Sequence, residues 1–186
     1  CKHQDTKTLG KLGDGESYIE GSFQKKGWDA VNDLIKASKE KDTISITLNG
    51  AKVLPATVLS EIKGKDISLN LDMENGFIWK INGTSITSET PADIDLSVTN
   101  TAEYIPAALY SLISTNQNDF GFHLGRSGAF DFPAVLSVKA DASCAGLMAN
   151  LFWYDAENGV LQCIQTVTVG GAFERSIPYA DFTLSK

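Results

Sequence analysis

The chain has 186 residues, of which 42% are hydrophobic, and it carries a formal net charge of −7 at pH 7. This length suffices for one domain, or two small ones, with a real hydrophobic core. The negative charge argues against a nucleic-acid partner, because phosphate binding needs clustered Lys and Arg. No apolar run approaches the roughly 18 residues that a membrane-spanning helix needs.

The first 20 residues are polar, contain glycine and lack hydrophobic periodicity, which predicts a tether ahead of the folded module. Cys1 stands where bacterial lipoproteins carry a lipid-modified cysteine. If Cys1 is the mature terminus, we expect a lipid anchor there to be the protein's one contact with a membrane. Alternatively, residue 1 is only the place where a longer sequence was divided, and both interpretations remain open.

The next part of the chain alternates between helix and strand patterns. Trp28 begins an apolar stripe at helical spacing, which predicts a helix near residues 28–41. Strict alternation of apolar and polar residues then predicts half-buried strands in TISITLNG and DISLNLDM. The turn ENG returns the chain so that Trp79 lies opposite Leu71 on the apolar face. We therefore expect Trp28 and Trp79 to be core residues.

Two segments of the chain resemble each other. Residues 53–62 (VLPATVLSEI) and 104–113 (YIPAALYSLI) share a Pro, a following Ala and matching apolar positions. Each predicts a helix, near 55–63 and 103–114, between two strand patterns. The sequence therefore predicts a strand–helix–strand unit used twice.

The last third of the chain contains strand patterns joined by polar turns, and one hairpin in it is of particular interest. In ANLFWYDAENGVLQCI a five-residue loop, 155–159, sets Tyr154 opposite Val160 and Trp153 opposite Leu161. One face of this hairpin is then uniformly apolar and is the expected core side: Ala149, Leu151, Trp153, Leu161 and Cys163. The other face mixes rings, amides and aliphatic side chains: Asn150, Phe152, Tyr154, Val160, Gln162 and Ile164. A Cys144–Cys163 disulfide would need a sharp bend before the hairpin, so two separate thiols are preferred.

Taken together, these patterns predict an α+β fold of mainly antiparallel sheet with about three helices and a duplicated strand–helix–strand unit. We expect residues 1–20 to be the tether and residues 21–186 to form the folded module. That module is either one domain or two closely packed halves, about 21–90 and 91–186.

Catalytic signatures are missing from the sequence: it has no P-loop, Gly-x-Ser-x-Gly, His-Glu-x-x-His or dinucleotide fingerprint. A site at His123 would need Asp119 or Ser127 as its partner, and a hydrogen-bonded strand position is the simpler interpretation. Asp93 and Asp95 share a strand face that calcium could use, but acidic residues of this kind are usually just solvated. We therefore expect no enzyme activity, no metal and no cofactor.

Several short motifs follow one another along the chain: Gly27-Trp28, Asn49-Gly50, Pro55, KGKD (63–66), Asn75-Gly76, WKING (79–83), Ile105-Pro106, FGF (120–122) and ANLFWYDAENGVL (149–161). Their order resembles that of a module recurring in secreted and cell-surface proteins of clostridia and ruminococci, which are Gram-positive anaerobes. The resemblance implies an extracellular, cell-surface-attached and non-catalytic module, found beside carbohydrate-active or adhesive domains of larger proteins.

The mixed face of the hairpin is the candidate binding site. Rings stack on the C–H faces of sugars, while amides bond their hydroxyls. We expect Phe152 and Tyr154 to stack on a polysaccharide that Asn150 and Gln162 also bind. The expected function is accessory to polysaccharide binding or attachment. The alternative is a structural spacer or protein–protein interaction module without a small ligand, in which this face is covered.

Overall fold

The computed structural model describes residues 6–13, 27–49, 51–114, 119–126, 130–170 and 179–184. The helices within these residues are α1 (Gly27–Ala37), α2 (Ala56–Ile62) and α3 (Ala107–Ile113). The strands are β1 (Thr6–Gly13), β2 (Thr43–Asn49), β3 (Val53–Leu54), β4 (Ser68–Asp72), β5 (Phe77–Asn82), β6 (Ile94–Asp95), β7 (Val98–Thr99), β8 (His123–Leu124), β9 (Ala134–Lys139), β10 (Met148–Asp155), β11 (Val160–Thr168) and β12 (Tyr179–Leu184). The fold is α+β with mostly antiparallel pairing, which confirms the predicted class.

The chain divides into two compact units that are interleaved along the sequence. Unit 1 comprises Cys1–Ser97, Gly125–Leu136 and Thr183–Lys186, and unit 2 comprises Val98–Leu124 and Ser137–Phe182. This division differs from the two consecutive halves, about 21–90 and 91–186, that the sequence suggested as an alternative.

Unit 1 is organised around a sheet with the strand order β1-β2-β4-β5-β9-β12, to which β9 and β12 contribute residues 134–136 and 183–184. Strand β2 is parallel to both β1 and β4, whereas β4 and β5 form an antiparallel hairpin. Leu71 pairs with Trp79 in that hairpin, as predicted. The alternation that identified these strands sends one row of side chains into the core, where they are almost completely buried.

The core of unit 1 includes the helix stripes and one of the two tryptophans expected there. Trp79 is only 1% exposed, and its indole N–H donates a 2.9 Å hydrogen bond to the carbonyl of Leu96. Its ring centroid lies 5.4 Å from that of Phe130. Trp28 is half-buried at the start of α1, while Val31 on the same stripe is fully buried. The prediction of a core position is thus confirmed for Trp79 and only partly met by Trp28.

The N-terminal stretch differs from the expected tether in one respect. Thr6–Gly13 forms β1 and pairs in parallel with β2. The main-chain groups of an edge strand accept any extended partner, whatever the hydrophobic pattern of that partner, so the pattern alone could not reveal this strand. The rest of residues 1–20, including Cys1, lies outside the described residues.

The structure does not confirm the predicted duplication. The strands β2 and β4 on either side of α2 are parallel, and α2 buries Val58, Leu59 and Ile62. The strands β7 and β8 on either side of α3 are antiparallel, and α3 has no buried residue. Similar helices therefore pack differently, because the apolar residues of a short helix do not specify the strands beside it.

Unit 2 consists of the short β7–β8 ladder, α3, the β10–β11 hairpin and adjoining parts of β9 and β12. The hairpin is tied to its neighbours at the open end of β11, where the N–H of Val169 donates to the carbonyl of Leu147 at 2.8 Å. The N–H of Gly170 donates to the carbonyl of Tyr179 at 2.9 Å. Val169 is buried, so this end of the hairpin is anchored.

Candidate functional site

The β10–β11 hairpin ends in a turn that a single carboxylate organises. Asp155 accepts hydrogen bonds from the backbone N–H groups of Glu157 and Asn158, at 3.1 and 3.2 Å. The side-chain amide of Asn158 donates to its other oxygen at 2.6 Å. The Asn158 amide, followed by these backbone N–H groups, lowers the pKa of the Asp155 carboxyl below its ordinary value, whereas desolvation opposes this. The turn is therefore pre-shaped by its own sequence.

The observed register of the hairpin differs by one residue from the predicted one. Asp155 pairs with Val160 and Trp153 pairs with Gln162. The loop has four residues, 156–159, because Asp155 closes the turn from within the strand. A β-bulge between Leu151 and Phe152 on the pairing ladder then shifts the register once more. The predicted pairs, Tyr154 with Val160 and Trp153 with Leu161, are wrong.

Trp153 is exposed on a strand face whose neighbouring positions in β10, Leu151 and Asp155, are buried. Leu151, two residues earlier on the same face, is buried, whereas Trp153 is 50% exposed. Gln162, directly across from Trp153, is exposed as well, and Val160 lies exposed beside the turn. The assignment of Trp153 to the core is therefore wrong. An indole ring and a primary amide stand side by side at the solvent-facing end of the sheet.

The opposite face contains three of the four residues expected to bind a ligand. Phe152 and Tyr154 are half-buried, and Asn150 is exposed. The side-chain oxygen of Asn150 accepts a 2.7 Å hydrogen bond from the hydroxyl of Thr166, its cross-strand partner. The fourth residue, Gln162, lies on the face of Trp153, because a one-residue shift in register moves every side chain of a strand to the other face.

Leu161 and Cys163, which were expected to lie on the core face with Trp153, pair instead with Tyr154 and Phe152. Cys163 is exposed, Cys144 is half-buried, and both are free thiols, in agreement with the preferred interpretation. The proposed lipidation of Cys1 concerns a residue outside the described part of the chain.

The acidic residues that calcium could have used serve the local structure. Asp93 accepts a 2.7 Å hydrogen bond from the backbone N–H of Ala56 at the start of α2. Asp95 accepts from both the hydroxyl and the backbone N–H of Ser97. Its pKa is lowered chiefly by the Ser97 hydroxyl, against the effect of desolvation, with further lowering from the Ser97 N–H and from Lys52. In the ranges that the structure describes, no three His, Cys, Asp or Glu side chains form a group that could hold a metal ion.

His123 takes part in an aromatic contact. It pairs with Thr99 across the β7–β8 ladder, and its imidazole stacks on the ring of Tyr104. Of the two partners suggested for a catalytic site, Ser127 is outside the described residues. This contact involves a residue, Tyr104, that no sequence pattern had singled out.

No family model, curated protein or solved structure matches the chain. Among the described residues, no helix is long and apolar enough to cross a membrane.

Sequence reasoning did not identify two exposed aromatic residues, Trp153 and Tyr104, as candidates for a binding surface. Trp153 could have been found from the turn: an Asp three residues before an Asn-Gly pair is typical of a side chain that bonds the turn N–H groups, which shortens the loop by one residue. Tyr104 had no comparable signal, because its ring partner His123 is distant in sequence.

Proposed function

We propose that the chain is a non-catalytic, extracellular module that binds polysaccharide through the Trp153 face of its β-hairpin. The single observation that carries this proposal is an indole ring, half exposed on a strand, with the amide of Gln162 directly across from it. Aromatic rings of this kind stack on the apolar C–H face of a pyranose, while an adjacent amide donates to and accepts from its hydroxyls.

The charge of the region favours a neutral ligand. Between residues 142 and 173 the only charged side chains are Asp155 and Glu157, both at the turn. Phosphate or sulfate groups would need Lys or Arg partners, which this stretch does not offer. A neutral polysaccharide requires none.

The cellular setting of the proposal comes from the sequence. The ordered motifs of residues 26–186 resemble a module of secreted and cell-surface proteins of Gram-positive anaerobes, found beside carbohydrate-active or adhesive domains. This resemblance supports attachment at the cell surface. In that setting the module would hold polysaccharide near a neighbouring domain of the same protein.

The experiment uses adjacent residues on opposite faces of the hairpin. Native gel electrophoresis in the presence of soluble plant glycans and starch measures retardation of the parent, Trp153→Ala and Tyr154→Ala proteins. We expect Trp153→Ala to lose retardation and Tyr154→Ala to keep it. A polar residue on each face gives a second comparison. Gln162→Ala, on the face of Trp153, should lose retardation, and Asn150→Ala, on the face of Tyr154, should keep it.

If Tyr154→Ala and Asn150→Ala lose retardation while Trp153→Ala and Gln162→Ala keep it, the binding site lies on the face of Phe152, Tyr154 and Asn150. Retardation that survives all four substitutions in folded proteins would locate the glycan site away from the hairpin. A parent protein that no polysaccharide retards would contradict the proposed function.

A second candidate function, interaction with another protein, is favoured by one feature of the same hairpin. Leu147, Met148 and Ile164 are large apolar side chains that lie more than half exposed. Leu147 and Met148 are adjacent in the chain, and exposed apolar residues that cluster are typical of protein interfaces. In that case no glycan would retard the parent protein, and the chain would act as a spacer or docking module for a neighbouring domain.

A further inference from the structure

Unit 2 presents a second aromatic surface, formed by Tyr104 and His123. The two ring centroids are 3.8 Å apart and the planes differ by only 15°. His123 is half-buried, whereas Tyr104 is 55% exposed. Because one face of the Tyr104 ring is covered by the imidazole, this exposure means that its other face is open to solvent.

The backbone beneath this pair is fixed before any ligand arrives. His123 is held in β8 by its pairing with Thr99 in β7. At Gly121 the chain passes so close to Ala102 that a Cβ atom would lie 2.8 Å from the Ala102 Cα, a distance that real Cβ atoms do not tolerate. The N–H of Ile105 donates to the carbonyl of Ala102 at 3.0 Å, which turns the chain next to Tyr104. Stacking therefore costs little ordering of the protein.

The residues around the pair offer the hydrogen-bonding groups that sugars need. Thr99, directly across from His123, is exposed, and so are Asn100 and Glu103. The backbone N–H of Glu103 donates to the hydroxyl of Thr101 at 3.2 Å, which holds this turn in place. A hydroxyl, an amide and a carboxylate are thus exposed at positions close to the pair along the chain or across the ladder. Residues 104–118 carry no charged side chain, so Glu103 is the charged residue next to Tyr104 along the chain.

We propose that the Tyr104–His123 pair is a second stacking site for a pyranose ring, so that unit 2 contacts a polysaccharide at two places. This inference rests on the proposed function, since the ligand class is the same as at Trp153. His123 supports the ring of Tyr104 from behind, and Tyr104 presents its open face to the sugar. A polymer that contacts both places gains the stacking energy of each ring.

The test measures affinity for a polysaccharide that retards the parent protein, using Tyr104→Ala, Tyr104→Phe and Trp153→Ala. Removing one stacked ring should weaken binding about two- to tenfold. Tyr104→Ala should show this loss, whereas Tyr104→Phe should bind like the parent because the ring is retained. Leu112→Ala, an exposed apolar residue of α3 in the same unit, is the matched control and should bind like the parent. Equal far-UV circular dichroism and thermal midpoints ensure that all the proteins compared are folded.

The outcomes separate this inference from the proposed function. If Trp153→Ala weakens binding and Tyr104→Ala does not, the second site is refuted and the first stands. If Tyr104→Ala weakens binding and Trp153→Ala does not, the second site stands and the hairpin is refuted. Loss in Tyr104→Phe equal to that in Tyr104→Ala would refute ring stacking, and a parent protein that binds no polysaccharide would refute both sites.

Discussion

Substituting Trp79 tests how the core of unit 1 is held together. Trp79→Ala removes a ring that is almost fully buried, and losses of this kind cost about 3–5 kcal/mol. Trp79→Phe keeps most of the ring but removes the N–H that bonds the Leu96 carbonyl. A buried acceptor deprived of its donor costs about 1–3 kcal/mol. We therefore expect losses of about 4 kcal/mol for Trp79→Ala and about 2 kcal/mol for Trp79→Phe.

These losses are a substantial fraction of the total free energy of unfolding of an ordinary domain, which is about 5–15 kcal/mol. Urea denaturation followed by far-UV circular dichroism measures them as a lower midpoint at unchanged slope. The other two tryptophans provide the comparison: Trp28→Ala, at a half-buried position, should lose less than Trp79→Ala, and Trp153→Ala should change stability by less than about 0.5 kcal/mol. If Trp79→Ala unfolds at the same urea concentration as Trp153→Ala, the reasoning is wrong.

Three further predictions concern single positions. Gly83→Ala should destabilise unit 1 strongly in urea denaturation, because a Cβ at this position would clash with the carbonyl oxygen of Ile62; a melt equal to the parent's would contradict this packing. Asp95 has a lowered pKa in the folded state, so its stabilising contribution is present above its unfolded pKa of about 3.9 and is lost as the pH falls through the folded value. Asp95→Asn should therefore be less stable than the parent at pH 7, with the difference shrinking as the pH falls below about 3.9; a difference independent of pH would refute this assignment. Cys163 is exposed and should react with a thiol reagent in the native protein as fast as in urea, and marked native protection would contradict the hairpin as described.

Part of the fold could be predicted because local patterns and tertiary packing agree in unit 1. The alternation in β2 and β4 places the same side chains in the core that burial selects, and a Gly-containing turn sets Leu71 opposite Trp79. In α1 and α2 the apolar stripe is also the buried one, with Val31 and Ile35 in α1 and Leu59 in α2. Where one face of an element must be buried, its periodicity determines which face that is.

The hairpin could not be predicted in full because its register depends on one side chain. Asp155 belongs to the strand and closes the turn with its carboxylate, and this moves Gln162 to the face of Trp153. The predicted duplication is not confirmed, for a related reason. The segments around Pro55 and Pro106 have similar local sequences, but the strands beside each helix are chosen by long-range contacts that a short motif does not encode.

The most direct measurement for the central claim follows the three indole N–H resonances of the protein, labelled with ¹⁵N at Trp28, Trp79 and Trp153. Substitution of each tryptophan by Phe assigns the three signals. On titration with a polysaccharide that retards the protein, the account predicts a saturable shift of the Trp153 signal alone, because this ring is half exposed beside Gln162 while Trp79 is buried. A bound polysaccharide that leaves the Trp153 signal unmoved would contradict the account.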